Sequence, residues 1–229
     1  GSEESLQALT VDNQLEARLT NGFMEHTLLL GADYQQRKNE VAWPSGAFPS
    51  LDAFNPVYGS EPLAFYAPIR ENHELEQTGV YLQDQITVNN WRVTLGGRFD
   101  WVNIDNTNRD SGATSALSDT QFSGRAGVVY LFDNGIAPYV SYSTAFTPTS
   151  FVDANGDLLA PMEGAQWETG VKYQPNEQQQ YSAALFHISQ ENVATKEQPT
   201  DPYRAVGEIE SQGIELEAQT QLTEALSLQ

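Results

Sequence analysis

Residues 80–102, VYLQDQITVNNWRVTLGGRFDWV, constrain the fold of this 229-residue chain more than any other stretch. Trp91, Val93, Leu95, Gly97, Phe99 and Trp101 alternate with Arg92, Thr94, Gly96, Arg98 and Asp100. A period of two means a β-strand with one apolar and one polar face. Asn89-Asn90 offers the positive φ that a tight hairpin needs. Pairing Val88 with Trp91 then adds Val80, Leu82 and Ile86 to the apolar face and Tyr81, Gln83, Gln85 and Thr87 to the polar one, with Asp84 out of pattern.

Two features separate this hairpin from an ordinary soluble one. Aromatic residues bracket the apolar row, Trp91 by the turn and Phe99 with Trp101 about ten residues on, the span of a tilted strand crossing a bilayer. The other face carries Arg, Asp and Gln, which suit a wet lumen better than a packed core. A soluble β-sandwich, apolar inside and polar outside, is the plainer alternative. A net charge of −20 with only 11 Lys and Arg argues against a nucleic-acid partner. No apolar run reaches the ~18 residues of a membrane helix, which leaves a barrel open because its strands show only alternate residues to lipid. The chain has no cysteine, so thiol chemistry and disulfides are excluded.

The same pattern repeats along the chain. Strands are expected over 5–20 and 24–41, joined at Asn21-Gly22, and over 119–132 and 136–146, joined at Asp133-Asn134-Gly135. Further strands are expected over 164–174 and 180–192, the latter carrying Ala184, Phe186 and Ile188, and over 204–222. Segments 42–74, 103–118, 147–163 and 193–203 read as loops. Short connections at Asn21, Asn89, Asp133, Asn176 and Thr223 thus alternate with long ones of roughly ten to thirty residues, the sorting of an outer-membrane barrel. The expectation is an all-β antiparallel up-and-down meander of nine to ten strands. Gly1-Ser2 reads as an expression scar and residues 226–229 as the start of another strand, so we read the chain as an excised piece.

Seven segments then carry a resemblance: 26–33 (HTLLLGAD), 78–85 (TGVYLQDQ), 93–100 (VTLGGRFD), 130–135 (YLFDNG), 138–143 (PYVSYS), 168–173 (ETGVKY) and 212–217 (QGIELE). In this order and spacing the chain resembles the TonB-dependent siderophore receptors of the bacterial outer membrane. It is most similar to the ferrichrome and ferric-hydroxamate branch, to which Phe54-Asn55-Pro56-Val57 contributes. The resemblance implies a fragment of a 22-stranded transmembrane β-barrel, residues 1–229, without the plug domain and the terminal strands. It also implies a ferric siderophore as transported ligand, outer-membrane lipid as surroundings, and the TonB-ExbB-ExbD system as partner through the plug region. No enzymatic activity and no cofactor are implied.

Siderophore contact falls to Trp43, Phe48, Phe54 and Tyr58 in the first long loop, with Phe65 and Tyr66 behind them. The alternative, favoured by base expectation, is that these aromatics pack the loop against itself or the barrel rim. Tyr81, Gln83, Arg92, Arg98, Asp100 and Arg125, with Glu168 and Lys172, would form a lumen-facing polar wall, either for plug contact and steering or as a self-satisfied lattice. In 153–157 (DANGD) a type I turn is favoured over a calcium loop, because Gly164 stands where the bidentate Glu belongs. His26, His73 and His187 have no ligand spacing, so no metal site is expected. An incomplete barrel leaves two unpaired strand edges, through which the isolated piece is expected to self-associate.

Overall fold

The computed structural model describes residues 3–47, 49–59, 64–198, 201–206, 208–223 and 226–228. The strands are β1 (Glu3–Asn21), β2 (Met24–Ala47), β3 (Ala64–Val88), β4 (Trp91–Asn108), β5 (Thr114–Tyr130), β6 (Ile136–Thr147), β7 (Met162–Asn176), β8 (Gln179–Glu191), β9 (Val193–Thr195), β10 (Arg204–Val206), β11 (Ile209–Thr223) and β12 (Leu226–Leu228). Ten of them form one antiparallel sheet in the order β1-β2-β3-β4-β5-β6-β7-β8-β11-β12, while β9 and β10 make a small hairpin of their own. No helix occurs among the described residues.

The expected hairpin forms as read. Val88 pairs with Trp91 and Val80 with Phe99, and Asn89 takes φ 50°. Every neighbour in the sheet keeps this phase, so one face is apolar from β1 to β11. Leu15, Leu30, Leu82, Leu95, Trp167, Leu185 and Leu216 stand exposed on it, Leu216 at 77 %. Among the described residues no second sheet covers this face, which rules out the sandwich. Rows of aromatics edge the band: Trp91 meets Tyr130 edge-on at 4.8 Å by the turns, and Phe99 meets Trp101 at 5.0 Å further up. A rise of about 3.3 Å per residue over about ten tilted residues gives an apolar band roughly 25 Å tall.

Above that band the sequence reading needs correction. Segment 103–118 is not a loop: β4 and β5 run on, paired from Asn103↔Ser118 to Thr107↔Thr114, and turn through 109–113 with Gly112 at φ 72°. Likewise β2 and β3 extend to Ala47 and back to Ala64 inside the expected first loop. These extensions escaped notice because the apolar phase reverses. Below Trp101 the outward positions are apolar, whereas above it Asn103 and Asp105 point outward and Val102 and Ile104 are buried on the other face. The outer face of β2 and β3 turns polar at the same level. There Tyr34 donates to Glu76 (3.0 Å) and Lys38 pairs with Glu74 (2.6 Å).

The core lies in this upper part. Segment 148–161, between β6 and β7, folds over the sheet so that Leu158 packs with Val102 and Ile104, flanked by Leu75, Leu117, Phe146 and Val152. A second correction concerns β8. Phe186 and Ile188 lie on the polar face, in register with Glu168 and Gln166, and Leu185 takes the apolar one. Both phases of β8 are apolar, so only pairing with β7 and β11 decides between them. Finally, β5 and β6 are in register only from Arg125↔Ser143 to Val129↔Tyr139. Above that seam Thr144 Oγ1 accepts the Gly124 N–H at 2.9 Å, and a cavity of ≈ 490 Å³ opens between the strands, lined by Phe122, Arg125, Tyr142 and Glu163 among others.

Candidate functional site

The polar face is organised around Arg98. Asp33 of β2, Gly79 of β3 and Asp100 of β4 share one rung of the sheet. A Cβ at Gly79 would fall on the Arg98 guanidinium, so glycine lets that side chain lie flat between the two acids. Arg98 Nη1 and Nη2 donate to Asp33, the latter at 2.9 Å, while Nε and Nη2 donate to Asp100 at 2.8 and 2.6 Å. Asp100 is fully buried (0 % exposed) and takes a further bond from Gln77 Nε2 at 2.8 Å. Charge-assisted bonds to a planar fork give this arrangement its rigidity. Tyr81 lies next to it, its ring 5.6 Å from the Arg98 guanidinium carbon and its hydroxyl donating to Asp12 at 2.9 Å. Its ring covers Gly31 as Arg98 covers Gly79.

Gln83, Arg92 and Arg125 lie on the same face, as do Glu168 and Lys172 of β7. Arg92 turns back to donate to the carbonyls of Asn89 (2.7 Å) and Trp91 (2.9 Å). Glu168 accepts from the Tyr139 hydroxyl at 2.6 Å and from Gln166 at 3.0 Å, and Lys172 sits over the Tyr139 ring at 5.4 Å. Ser182 donates to Glu217 at 3.1 Å. The face is thus a mostly self-satisfied lattice with Arg125 outside it.

The aromatic candidates divide. Trp43 belongs to β2, opposite Ile69, and is half-exposed. Phe54 is 100 % exposed, on a turn that Asp52 holds by accepting the Phe54 N–H at 2.8 Å. Tyr58 is likewise exposed, while Phe48 lies outside the described residues. Among the described residues, Trp43, Phe54 and Tyr58 make no ring contact with one another. The structure does assemble a group that periodicity could not reveal. Asn106 donates to the Ser150 carbonyl (3.1 Å) and touches His73 Nδ1 (2.8 Å), fixing the 148–161 segment to the wall. Phe151 of that segment stacks on Tyr203 at 4.1 Å, beside the β9–β10 hairpin, with Lys196 over the Tyr203 ring at 4.3 Å. These partners come from loops far apart in sequence, so no local signal marks them.

The 153–157 stretch is the turn expected of it. Asp153 accepts backbone N–H groups of Asn155 (2.8 Å) and Asp157 (3.0 Å), and these bonds hold its carboxyl below the usual range. The histidines are scattered: His26 pairs with Asp84 on the apolar face (2.7 Å), His73 meets Asn106, and His187 lies 4.0 Å from Glu210. The pairing of His26 also explains the Asp84 break in the apolar row.

A family model described as "TonB dependent receptor-like, beta-barrel" matches residues 2–229. The chain is 54 % identical over 230 residues to a ferrioxamine B receptor of Salmonella typhimurium, covering 100 % of this chain and 33 % of that protein. It is 41 % identical to a ferrioxamine receptor of Yersinia enterocolitica (100 % and 33 % covered) and 38 % identical to a ferrichrome outer membrane transporter/phage receptor of Escherichia coli (99 % and 32 % covered). Among solved structures, the ferric-catecholate import receptor Fiu of E. coli superposes with a TM-score of 0.80 at 16 % identity, over 98 % of this chain and 37 % of that one. The ferric citrate transporter FecA gives 0.77 at 19 %, over 96 % and 33 %. At those identities the two structures speak for the fold. The chain spans about a third of the length of the relatives it matches.

Proposed function

The chain belongs to the TonB dependent receptor-like β-barrel family, and from that premise we propose that its parent imports a ferric siderophore of the hydroxamate type across the outer membrane. The single observation that carries the substrate class is the 54 % identity over the whole chain to a ferrioxamine B receptor. Barrels of this family are outer-membrane proteins, and the band between Trp91 and Trp101 has the height and aromatic edges that a bilayer requires. In this reading residues 1–229 are part of a 22-stranded wall, a size at which outer-membrane transporters carry a plug.

Each part of the wall then has a task. The apolar face meets lipid. The polar face lines the lumen, where Tyr81, Gln83, Arg92, Arg98, Asp100 and Arg125 keep it hydrated and smooth. The long connections face outward, and the exposed Trp43, Phe54 and Tyr58, with Phe48 of the same segment, offer aromatic surface to the chelate. No bond is made or broken; the relatives are receptors and transporters rather than enzymes. Release inward uses the TonB-ExbB-ExbD system, acting through parts of the parent beyond this chain. Iron-55 uptake from ferrioxamine B by cells with and without the parent gene tests the proposal. Equal uptake in both strains would refute it.

A further inference from the structure

The sheet is paired unevenly at one place. β5 pairs with β4 over its whole length, and β6 with β7 over its whole length, but β5 and β6 meet only from Arg125↔Ser143 to Val129↔Tyr139. Above that rung their facing edges part around the cavity of ≈ 490 Å³. The Gly124 N–H, which points to β6, is held by the Thr144 hydroxyl instead of a main-chain carbonyl. The Thr120 N–H is taken by Asp119 Oδ1 at 2.8 Å. Alternation in an antiparallel ladder turns the Phe122 N–H and C=O to the same gap, where no strand meets them among the described residues. This stretch stands level with Gly97, Phe99 and Trp101, inside the apolar band. A bilayer does not tolerate an open sheet edge at that depth.

Phe146 is out of place in the same sense. It shares its phase with Tyr142, whose ring lies 4.5 Å from that of Trp167 on the apolar face. Even so, it packs on the inner cluster of Val102, Ile104 and Leu158. Carried upward without a shift, the β5–β6 register would join Gly124 to Thr144, Phe122 to Phe146 and Gln121 to Thr147. Phe146 would then stand beside Phe122 and Phe99 in the upper aromatic row, and main-chain bonds would replace the cap that Thr144 supplies.

We propose that the β5–β6 seam is a two-state zipper in the barrel wall, coupled to segment 148–161. In the structure the segment is docked on the inner face and the seam is open. In the second state the ladder closes up to Gln121 and Thr147, Phe146 swings to the outer face, and Leu158 leaves Ile104. The wall is then sealed toward lipid. Each state satisfies what the other leaves open. Docking buries Leu158 with Phe146 beside it and keeps the Asn106 bond to the Ser150 carbonyl, whereas zipping pairs strand edges inside the bilayer. Ser150 follows closely on Thr147, so the segment cannot do both at once. The inference takes its lipid and lumen sides from the transport reading above, while the exchange itself needs only the register.

The test uses the full-length receptor in outer-membrane vesicles, with any native cysteines changed to serine and cross-links read by mass spectrometry after mild oxidation. The Q121C/T147C pair falls on a non-hydrogen-bonded rung of the closed ladder, where Cβ atoms approach closely, and reports the zipped state. The I104C/L158C pair reports the docked one. Each pair should cross-link in its own variant, and in the variant carrying all four cysteines no molecule should hold both links. L158S loosens docking without touching the seam, so it should raise the initial rate of Q121C/T147C cross-linking about tenfold. Absence of that cross-link in both backgrounds, both links in one molecule, or a rate that L158S leaves unchanged would overturn the proposal. Heat-modifiable gel mobility verifies folding. If L158S does not fold, N106A, which removes the bond to Ser150, must raise the rate about threefold in its place. Iron uptake by the wild type, measured in parallel, judges the transport reading separately.

Discussion

Replacing Arg98 by Met in the parent receptor tests whether the polar wall is held by specific charge pairing or by bulk hydration. Met preserves the stem while removing every bond from the guanidinium to Asp33 and Asp100. Asp100 would keep only the Gln77 amide, in a position with 0 % exposure. Leaving a buried carboxylate uncompensated costs about 3–5 kcal/mol. Asp33 retains some water contact, so roughly 2–3 kcal/mol is the reasoned loss here. The Arg18–Glu16 pair is the control: its side chains are 80 % and 50 % exposed, so R18M should cost under about 0.5 kcal/mol. The assay is urea unfolding in lipid, followed by gel mobility with and without heating. Adding D100N to R98M removes the stranded charge, and a coupling above about 1 kcal/mol should appear in the double-mutant cycle. The reasoning fails if R98M lies within about 0.5 kcal/mol of wild type, or matches R18M.

Four other outcomes are expected. On the apolar face, H26L strands Asp84, whose Oδ1 already lacks a partner, and should cost about 1–3 kcal/mol, whereas H26L/D84L should be neutral or stabilising in the same unfolding assay. G135A places a side chain at φ 84° against the Gln174 carbonyl and should lose about 2–4 kcal/mol, also by urea unfolding. The depressed Asp153 carboxyl stabilises its turn above the ordinary aspartate value of 3.8 and loses that contribution as pH falls through its lower folded value. Amide-exchange protection at Asn155 and Asp157 should therefore weaken below about pH 4, and D153A should abolish this dependence. The isolated 229-residue chain, with Leu6, Leu9, Leu15 and Leu19 exposed along its β1 edge, should sediment as oligomers without detergent; a dilute monomer would refute this.

What the sequence disclosed follows from which signals are local. The Val88–Trp91 pairing and the aromatic edges were legible because a strand facing lipid must alternate and a tight turn needs Asn or Gly. The strand extensions above Trp101 were not, since a reader following one apolar phase meets Val102 and Ile104 on the wrong side and stops. Membership of Arg98, Asp100 and Tyr81 in one polar face was readable from periodicity. Their partners were not: Asp33 is 65 residues from Arg98, and Asp12 is 69 from Tyr81. Only the register of β1 to β4 brings them together. The stacking of Phe151 on Tyr203 joins two separate connections and leaves no periodic trace at all.

The glycines of the polar face link these observations. Gly31, Gly79 and Gly96 sit beneath Tyr81, Arg98 and Arg125, and Gly170 and Gly213 sit close against Tyr139 and Phe186. None of these five has positive φ, so backbone freedom is not the reason for glycine there. At each a side chain from an adjacent strand lies where a Cβ would stand, and at Gly170 the Ala183 carbonyl comes closer still. A packed core would have no use for this, because its side chains stand up to fill the space between layers. A wall bordering a passage has the opposite need: long polar groups must hydrate and pair without projecting into the path. Laying them sideways over glycine also points each guanidinium along the sheet, which is how Arg98 reaches an acid on either side. The same geometry lays the Arg125 stem over Gly96, where among the described residues its guanidinium meets no acid.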